Sequence, residues 1–349
     1  MRSFRFDNVE VTDSSKPFVI AEIGHNHQGN MSQAFELIRA AAAAGASAVK
    51  FQKRSNRDLF TKYAFDAPYV NENSFGETYG LHREALELGK KEYLACKSLA
   101  AELGIAFFST AFDIPSVDFL EDIDIPLFKI ASGDLRNFPL LEYIAKTGKP
   151  MIISTGGASM KDVSKTVEFL NSINAQFAIL QCTAGYPPKY EELNLKVIEV
   201  FRNLFPEKII GYSGHDNGIA MSLIAYILGA RIIEKHFTLD RSMRGTDHSF
   251  SLEPLGLKKL VRDLARAKLA LGDGTKKVYE SELAPIRKMG KMIVAKTTIM
   301  PGELITNSNI EFRSPADGLP PSSLLEVLGR RSSKLLSPHD PILIENLFD

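Results

Sequence analysis

The chain has 349 residues, with 42 Lys and Arg balanced by 42 Asp and Glu, so its formal charge is zero. That balance argues against a protein that grips nucleic acid or an anionic membrane surface through its overall charge; basic groups that bind an anion must be gathered locally. A hydrophobic content of 44% and a charged content of 24% describe a globular chain with ample core. The length exceeds the roughly 250 residues of a parallel α/β barrel and leaves room for a small appendage. Only Cys96 and Cys182 occur, which excludes a disulfide framework and a CxxC zinc site. The opening stretch MRSFRFDNVE lacks the apolar core of a signal peptide. The longest uncharged stretch, Asn217 to Ala230, is shorter than the roughly 20 residues that cross a bilayer. A soluble, cytoplasmic protein is expected.

One pattern recurs through the first three-quarters of the chain. Short β-rich apolar runs end in a polar or glycine cluster, and helical periodicity follows. Eight such runs cover residues 17–24, 47–52, 105–110, 127–133, 150–156, 177–183, 209–215 and 231–237. Alternating strand and helix implies a parallel sheet, and eight repeats imply a closed (β/α)8 TIM barrel; an open doubly wound sheet is the alternative. The spacing is regular except at residues 53–85, a polar and aromatic excursion whose Tyr, Phe and Asn content favours an ordered substrate loop. The barrel domain is expected over residues 1–280, with a linker at 281–290. From there the character changes to short strands and turns, giving a small β-rich domain over 291–349.

In such barrels the ligand site lies at the C-terminal strand ends, so the polar residues there are the candidates. The first strand ends with Glu22, followed by Asn26 and His27. The second puts Lys50 and Gln52 on one face, because side chains alternate with period two. The third ends in Ser109 and Thr110. The fourth carries Lys129, with Ser132 and Asp134 just beyond. The fifth ends in Ser154, Thr155 and Gly156. The sixth carries Gln181 and Thr183, with Tyr186 beyond and Cys182 read as a barrel-wall residue. The seventh aligns Ser213 with His215, and the eighth aligns Glu234 with His236. Taken singly, a strand lysine snorkels to solvent and a strand histidine is a hydrogen-bonded core residue. Together they point to chemistry. Two lysines inside apolar strands are costly to bury without an anion, and Glu22 or Glu234 offers a partner to only one of them. His215 and His236 end adjacent strands, close enough to share one divalent metal with positions left open for substrate oxygens.

These residues resemble a known family. AEIGHNHQG (21–29), VKFQK (49–53), KIASGD (129–134), ISTGG (153–157), LQCTAGYP (180–187), GYSGH (211–215), EKHFTLD (234–240) and GTDHSFSLEP (245–254) are similar, in order, to the sialic acid (N-acetylneuraminate) synthases, a group that includes the legionaminic and pseudaminic acid synthases. VAKTTIMPGELITNSNIEF in the tail resembles their antifreeze-like SAF domain. The resemblance implies condensation of phosphoenolpyruvate with an N-acetylated hexosamine, N-acetylmannosamine or a relative, releasing phosphate. It assigns His215 and His236 to a divalent metal, usually manganese. It assigns Lys50, Thr110, Lys129, Ser132 and Ser213 to phosphoenolpyruvate, with Asp134 in the same motif, and Glu22, Gln52, Tyr186, Asp247 and Asn73 to the amino sugar. Glu22 and Asp247 are its candidates for proton transfer. It also implies a domain-swapped homodimer whose small domain lids the neighbour's barrel.

Two departures stand out. Where many members have Asn after the Cys–Thr of the sixth strand, this chain has Ala184 and Gly185, which removes one expected phosphate contact. The family's tail arginine directly precedes proline; here the order is Arg313–Ser314–Pro315, displaced by one. Lys53, Arg54 and Arg57 could meet a sugar 6-phosphate or only solvent. A rival reading is a metal-dependent amidohydrolase, in which His25 and His27 supply an HxH ligand pair and Lys129 a fourth-strand lysine. That reading leaves Lys50 and the tail unexplained, and a purely binding or ice-interacting role ignores the reactive groups at the strand ends.

Overall fold

The computed structural model describes residues 2–349 and divides into two compact units, one ending at Gly272 and the other spanning Asp273–Asp349. The first begins with a hairpin of β1 (Ser3–Phe6) and β2 (Val9–Thr12), which the eight-run pattern does not include. Its turn is made at Asp7, where φ is +43°, and period-two alternation turns Phe4, Phe6 and Val11 inward.

Eight parallel strands follow: β3 (Phe18–Gly24), β4 (Ala48–Lys53), β5 (Ala106–Ala111), β6 (Phe128–Ile130), β7 (Met151–Ser154), β8 (Phe177–Cys182), β9 (Ile210–Gly214) and β10 (Ile232–His236). They close in sequence order, with β10 pairing β3, into the expected TIM barrel. Each expected run coincides with one strand to within a few residues at either end. The outer faces pack on the helices through Val49, Phe51, Ile130, Ile153, Ile179 and Ile233. The inner faces start with an apolar plug of Ile20, Ala48, Phe108, Ile152, Ala178, Leu180 and Ile232, on which the hairpin residues Phe4, Phe6 and Val11 pack. Above that plug the inward-facing strand positions are mostly polar, among them Glu22, Lys50, Thr110, Lys129, Ser154, Ser213 and Glu234. The plug therefore sets the floor of the site.

The 53–85 excursion is ordered, as its aromatic content suggests. It contains short helices at Asn56–Leu59, Lys62–Phe65 and Tyr79–Ala85, with Tyr69 packed edge-on against Tyr79 and tilted over His82. The Phe65 ring lies so close to Gly80 that any Cβ there would collide with it.

The second unit differs from the expected linker. Glu280–Met289 is a helix, because Glu282 accepts the Tyr279 backbone N–H (2.8 Å) and caps its start; Pro285 does not stop it before Gly290. Antiparallel pairs β11 (Met292–Ala295) with β12 (Ile310–Arg313), and β13 (Arg331–Ser332) with β14 (Leu347–Phe348), enclose a core of Ile293, Ile299, Ile305, Val327, Leu336 and Ile342. Arg313 is exposed on β12 and pairs with Glu311 at 2.9 Å. No helix among the described residues is long and apolar enough to cross a membrane.

The plug is tightest at Gly211. A Cβ there would lie 2.5 Å from Ile232 O and collide with Leu180 Cδ2. Gly211→Ala is therefore expected to destabilise the barrel by about 1–3 kcal/mol through overpacking. Urea unfolding followed by circular dichroism reads this as a lowered midpoint; an unchanged midpoint would show that the plug has slack.

Candidate active site at the barrel mouth

A cavity of about 640 Å³ opens at the C-terminal ends of the strands. It gathers Glu22, Lys50, Gln52, Asn73, Thr110, Lys129, Ser132, Tyr186, Ser213, His215, His236 and Asp247, twelve of the thirteen site residues named from sequence. Asp134 is the exception. The 3-10 turn Ser132–Asp134 carries it off the cavity wall, and its carboxylate accepts from Asn137 Nδ2 at 3.1 Å.

Directly above the plug lies a layer of four buried charges. Lys50 Nζ is 2.6 Å from Glu22 Oε2 and donates to Thr110 Oγ1 at 2.8 Å. Lys129 Nζ donates to Ser154 Oγ at 2.6 Å and to Ile130 O at 2.9 Å. Glu234 Oε1 lies 4.0 Å from both ammonium groups and accepts the Ser213 hydroxyl at 3.0 Å. The expectation that the carboxylates could serve only one lysine is thus corrected: Glu22 takes Lys50, and Glu234 sits between the two. Burial raises the Glu22 carboxyl; Lys50 pulls it down and Glu234 pushes it up again, leaving it above the ordinary carboxylate range. Burial also works against Glu234, but the Lys129 and Lys50 charges outweigh it and hold that carboxyl low. Burial lowers Lys129.

The sixth strand is corrected too. Cys182 faces the cavity, while Gln181 points outward and donates to Leu193 O at 3.1 Å; Thr183 donates to Glu192 O. Ser154 and Ala184 also line the cavity. Gly156 N–H donates to Ser132 Oγ at 2.9 Å and holds that hydroxyl at the wall.

Higher in the mouth, the His215 and His236 rings face each other with centroids 5.3 Å apart. His215 is fixed from behind. Its Nδ1–H donates to Thr183 O at 2.9 Å, which leaves Nε2 with its lone pair, and Tyr186 stacks on the ring at 4.2 Å. The next residue, Asp216, is anchored by the Tyr212 hydroxyl at 2.7 Å and by the fully buried Lys235 at 3.1 Å. His236 ends β10, and its Nδ1 is buried without a hydrogen-bond partner among the described residues, 3.5 Å from Asp247 Oδ2. Burial lowers both imidazoles, His215 to about 4, so both are neutral near pH 7. No group of three or more His, Cys, Asp or Glu converges as a metal cage among the described residues. A neutral imidazole pair with an unpartnered nitrogen nevertheless fits a divalent ion that takes its other ligands from water or substrate. Asn73, carried in by the excursion, lines the cavity and accepts the Gly245 N–H at 2.9 Å.

The amidohydrolase arrangement is not present. His27 lies outside the cavity lining, stacks on Phe51 at 5.0 Å and accepts the Gly29 N–H at 3.1 Å. His25 is buried beside Arg54 and Glu87, so neither faces the His215–His236 pair. Among the basic residues of the excursion, Lys53 pairs with Glu87 at 2.7 Å and Arg57 with Glu84 at 2.9 Å, but Arg54 and Arg83 line the cavity. Arg83 was not anticipated; nothing local in its sequence marks it.

Burial holds His25 well below its ordinary value and His27 down at about 3. Above about pH 6.5 these imidazoles are neutral in both folded and unfolded chains. As pH falls below that, the unfolded chain takes protons that the fold refuses, so stability drops by about 1.4 kcal/mol per unit for each such histidine. Glu22, raised in the fold, offsets part of this. Urea midpoints measured with a chelator from about pH 7 to pH 5, above most carboxylate titration, are expected to fall; a flat profile would mean that the buried imidazoles are charged.

Residues 37–276 match the NeuB family, and residues 290–347 match the SAF domain. The chain is 40% identical to the N-acetylneuraminate-9-phosphate synthase of Mus musculus, over 95% of this chain and 92% of that one. It is 38% identical to the N,N'-diacetyllegionaminic acid synthase of Campylobacter jejuni, over 91% of this chain and 96% of that one. The crystal structure of the N-acetylneuraminic acid synthetase of Leptospira borgpetersenii, in complex with citrate, superposes with a TM-score of 0.70 at 34% identity, covering 82% of this chain and 96% of that one. With a closed barrel, a polar mouth and a small β-rich unit in the same order, the chain belongs to the NeuB family and carries a SAF domain.

Proposed function

We propose that the chain condenses phosphoenolpyruvate with the open-chain aldehyde of an N-acetylated hexosamine, N-acetylmannosamine or a relative, to give a nonulosonic (sialic) acid and phosphate. The observation that carries this reading is the presence in one cavity of a lysine-bearing wall and a facing pair of neutral imidazoles. Lys50 and Lys129 bind the phosphoenolpyruvate anion, with Thr110, Ser132 and Ser213 as hydroxyl partners. At rest both ammonium groups are matched by Glu22 and Glu234. A proton on Glu22 frees Lys50 for the incoming anion, and burial favours that proton. Gln52, Asn73, Tyr186 and Asp247 take the sugar hydroxyls and amide.

His215 and His236 would hold the divalent cation, manganese in this reading, which when bound polarises the aldehyde oxygen. C3 of phosphoenolpyruvate forms a bond to the aldehyde carbon, and the carbonyl electron pair moves to oxygen, which takes a proton from Glu22. Asp247 is suited to orienting hydroxyls: burial raises its carboxyl, but His236 beside it and the Thr246 hydroxyl hold it below the ordinary range, so it stays ionised. Water then adds at C2 and gives a proton to the Glu22 carboxylate; the C2–O bond to the phosphoryl group breaks as the C2 hydroxyl becomes the ketone, and phosphate leaves with the hydroxyl's proton. The apolar plug beneath the charged layer keeps bulk water from entering through the barrel.

Phosphate release from phosphoenolpyruvate and manganese, measured with a panel of N-acetylmannosamine and deoxy-diacetamido sugars, tests the reading. Release is expected only with sugar present. His215→Ala and His236→Ala are each expected to lose about 100-fold or more in kcat. Sugar-independent release, or full activity in either variant, would overturn it.

The chain is further inferred to act as a homodimer in which the small unit of one copy covers the partner's barrel mouth. Leu325, Met300 and Leu335 are exposed apolar side chains in that unit, available for such a contact. Light scattering is expected to give twice the chain mass; an active monomer would refute the arrangement.

A further inference from the structure

Two guanidinium groups stand apart from the lysine layer. Arg54 and Arg83 both line the cavity, and neither has a carboxylate within 4.0 Å among the described residues. The nearby acids are engaged elsewhere: Glu87 with Lys53 at 2.7 Å and with His25 at 3.5 Å, and Asp247 with His236 at 3.5 Å. Arg54 is only 8% exposed. It lies flat on the Phe112 ring, 3.6 Å from the centroid, and Nη2 donates to Gln52 Oε1 at 2.7 Å. Arg83 donates to the Tyr79 hydroxyl at 2.9 Å. Both reach toward the same ring, His25, at 3.3 Å and 3.4 Å. His25 is neutral, kept so first by burial and then by the two arginines, so it supplies one lone pair and no charge.

No carboxylate pairs directly with either guanidinium; the Glu87 and Asp247 charges act on Arg54 only at longer range. Burial and the neighbouring Arg83 pull Arg54 down to about 10, against its ordinary range above 12. In the lysine layer the opposite holds, since two ammonium groups face two carboxylates. The cavity's surplus of positive charge therefore sits at the arginine end. A buried guanidinium held without a counter-ion is costly unless a ligand supplies one, and a planar fork presents paired N–H donors that suit a phosphate or carboxylate. Two forks converging on one opening suit a dianion.

We propose that Arg54 and Arg83 form a second anion subsite that takes a phosphomonoester on the acceptor, so that the sugar is a hexosamine phosphate. The proposal rests on the condensation reading above. It divides the cavity by charge: phosphoenolpyruvate at Lys50 and Lys129, and the acceptor's phosphate at the arginines. Lys53 and Arg57 take no part, because each already has a carboxylate partner.

Phosphate release from phosphoenolpyruvate, measured with N-acetylmannosamine and with its 6-phosphate, tests it. The phosphorylated acceptor is expected to have the higher kcat/KM. Arg83→Gln is expected to cut that preference by about 10- to 100-fold, the range for losing a hydrogen bond between charged groups, through the acceptor's KM. Arg54→Gln should do the same, but it also frees Gln52, so Arg83→Gln is the cleaner variant; thermal unfolding confirms that each folds. A preference for the unphosphorylated sugar, or a rise in the KM for phosphoenolpyruvate with the acceptor preference intact, would overturn the subsite while leaving the condensation standing. Turnover of neither sugar, nor of the diacetamido relatives, would instead count against the condensation itself.

Discussion

Four charges share one layer of the barrel interior, and the site is built around their mutual neutralisation. Glu22, Lys50, Lys129 and Glu234 are each no more than 5% exposed. An isolated ion at that depth would cost several kcal/mol, so none could be kept alone. They are tolerable because consecutive strands bring them together: β3 and β4 set Glu22 beside Lys50, and β9 with β10 sets Ser213 beside Glu234. The plug of Ile20, Phe108, Ile152, Leu180 and Ile232 closes the layer to water from below, and the burial of all four groups makes each pairing stronger than it would be in water. The zero net charge of the whole chain is thus repeated locally, and an arriving anion must alter the balance. Glu22 is the member whose charge is easiest to remove, because burial already favours its protonated form.

Much of this was legible in the chain. Each barrel strand is a β-rich run bounded by turn residues, and Lys50, Thr110, Lys129, Ser213, His215 and His236 sit at strand ends where alternation alone brings them inward. The sixth strand shows where that signal fails. FAILQC is apolar or small at almost every position, and a parallel barrel strand is buried on both faces, so period two offers no contrast between inside and outside. The phase is set by register: Cys182 pairs with Ser213 across to β9, and Ser213 faces inward. Gln181, the more polar residue, draws the eye to the wrong face. Asp134 misleads differently, because it follows the strand and a single 3-10 turn redirects it.

The loops were less legible, for a physical reason. His25 and His27 are spaced like a ligand pair, yet the turn after β3 buries His27 against Phe51 and leaves His25 among arginines. Their destination depends on residues far along the chain, Arg54 and Arg83 lying 29 and 58 positions from His25, and no local pattern encodes such contacts. Asn73 was reachable only through the resemblance; its role in holding Gly245 ties the excursion to the loop that presents Asp247.

The arginine end and the charged layer are not independent. Arg54 donates to the Gln52 side-chain Oε1 at 2.7 Å, Gln52 Nε2 donates to Glu22 at 2.6 Å, and Glu22 contacts Lys50 at 2.6 Å. The relay has one direction. Turning the Gln52 amide over would set its oxygen against a carboxylate and its NH2 against a guanidinium, losing both hydrogen bonds. Gly24, with φ at +53°, lets the chain pass beside it, since a Cβ there would press at 3.1 Å on both Gln52 Nε2 and Glu22 Oε1. In the proposed reaction, an anion that orders Arg54 would therefore also order Glu22, the acid whose proton frees Lys50 for phosphoenolpyruvate. The two ends of the cavity are joined by a single glutamine, and under the two-subsite proposal this link would couple anion binding at the arginines to proton placement at Glu22.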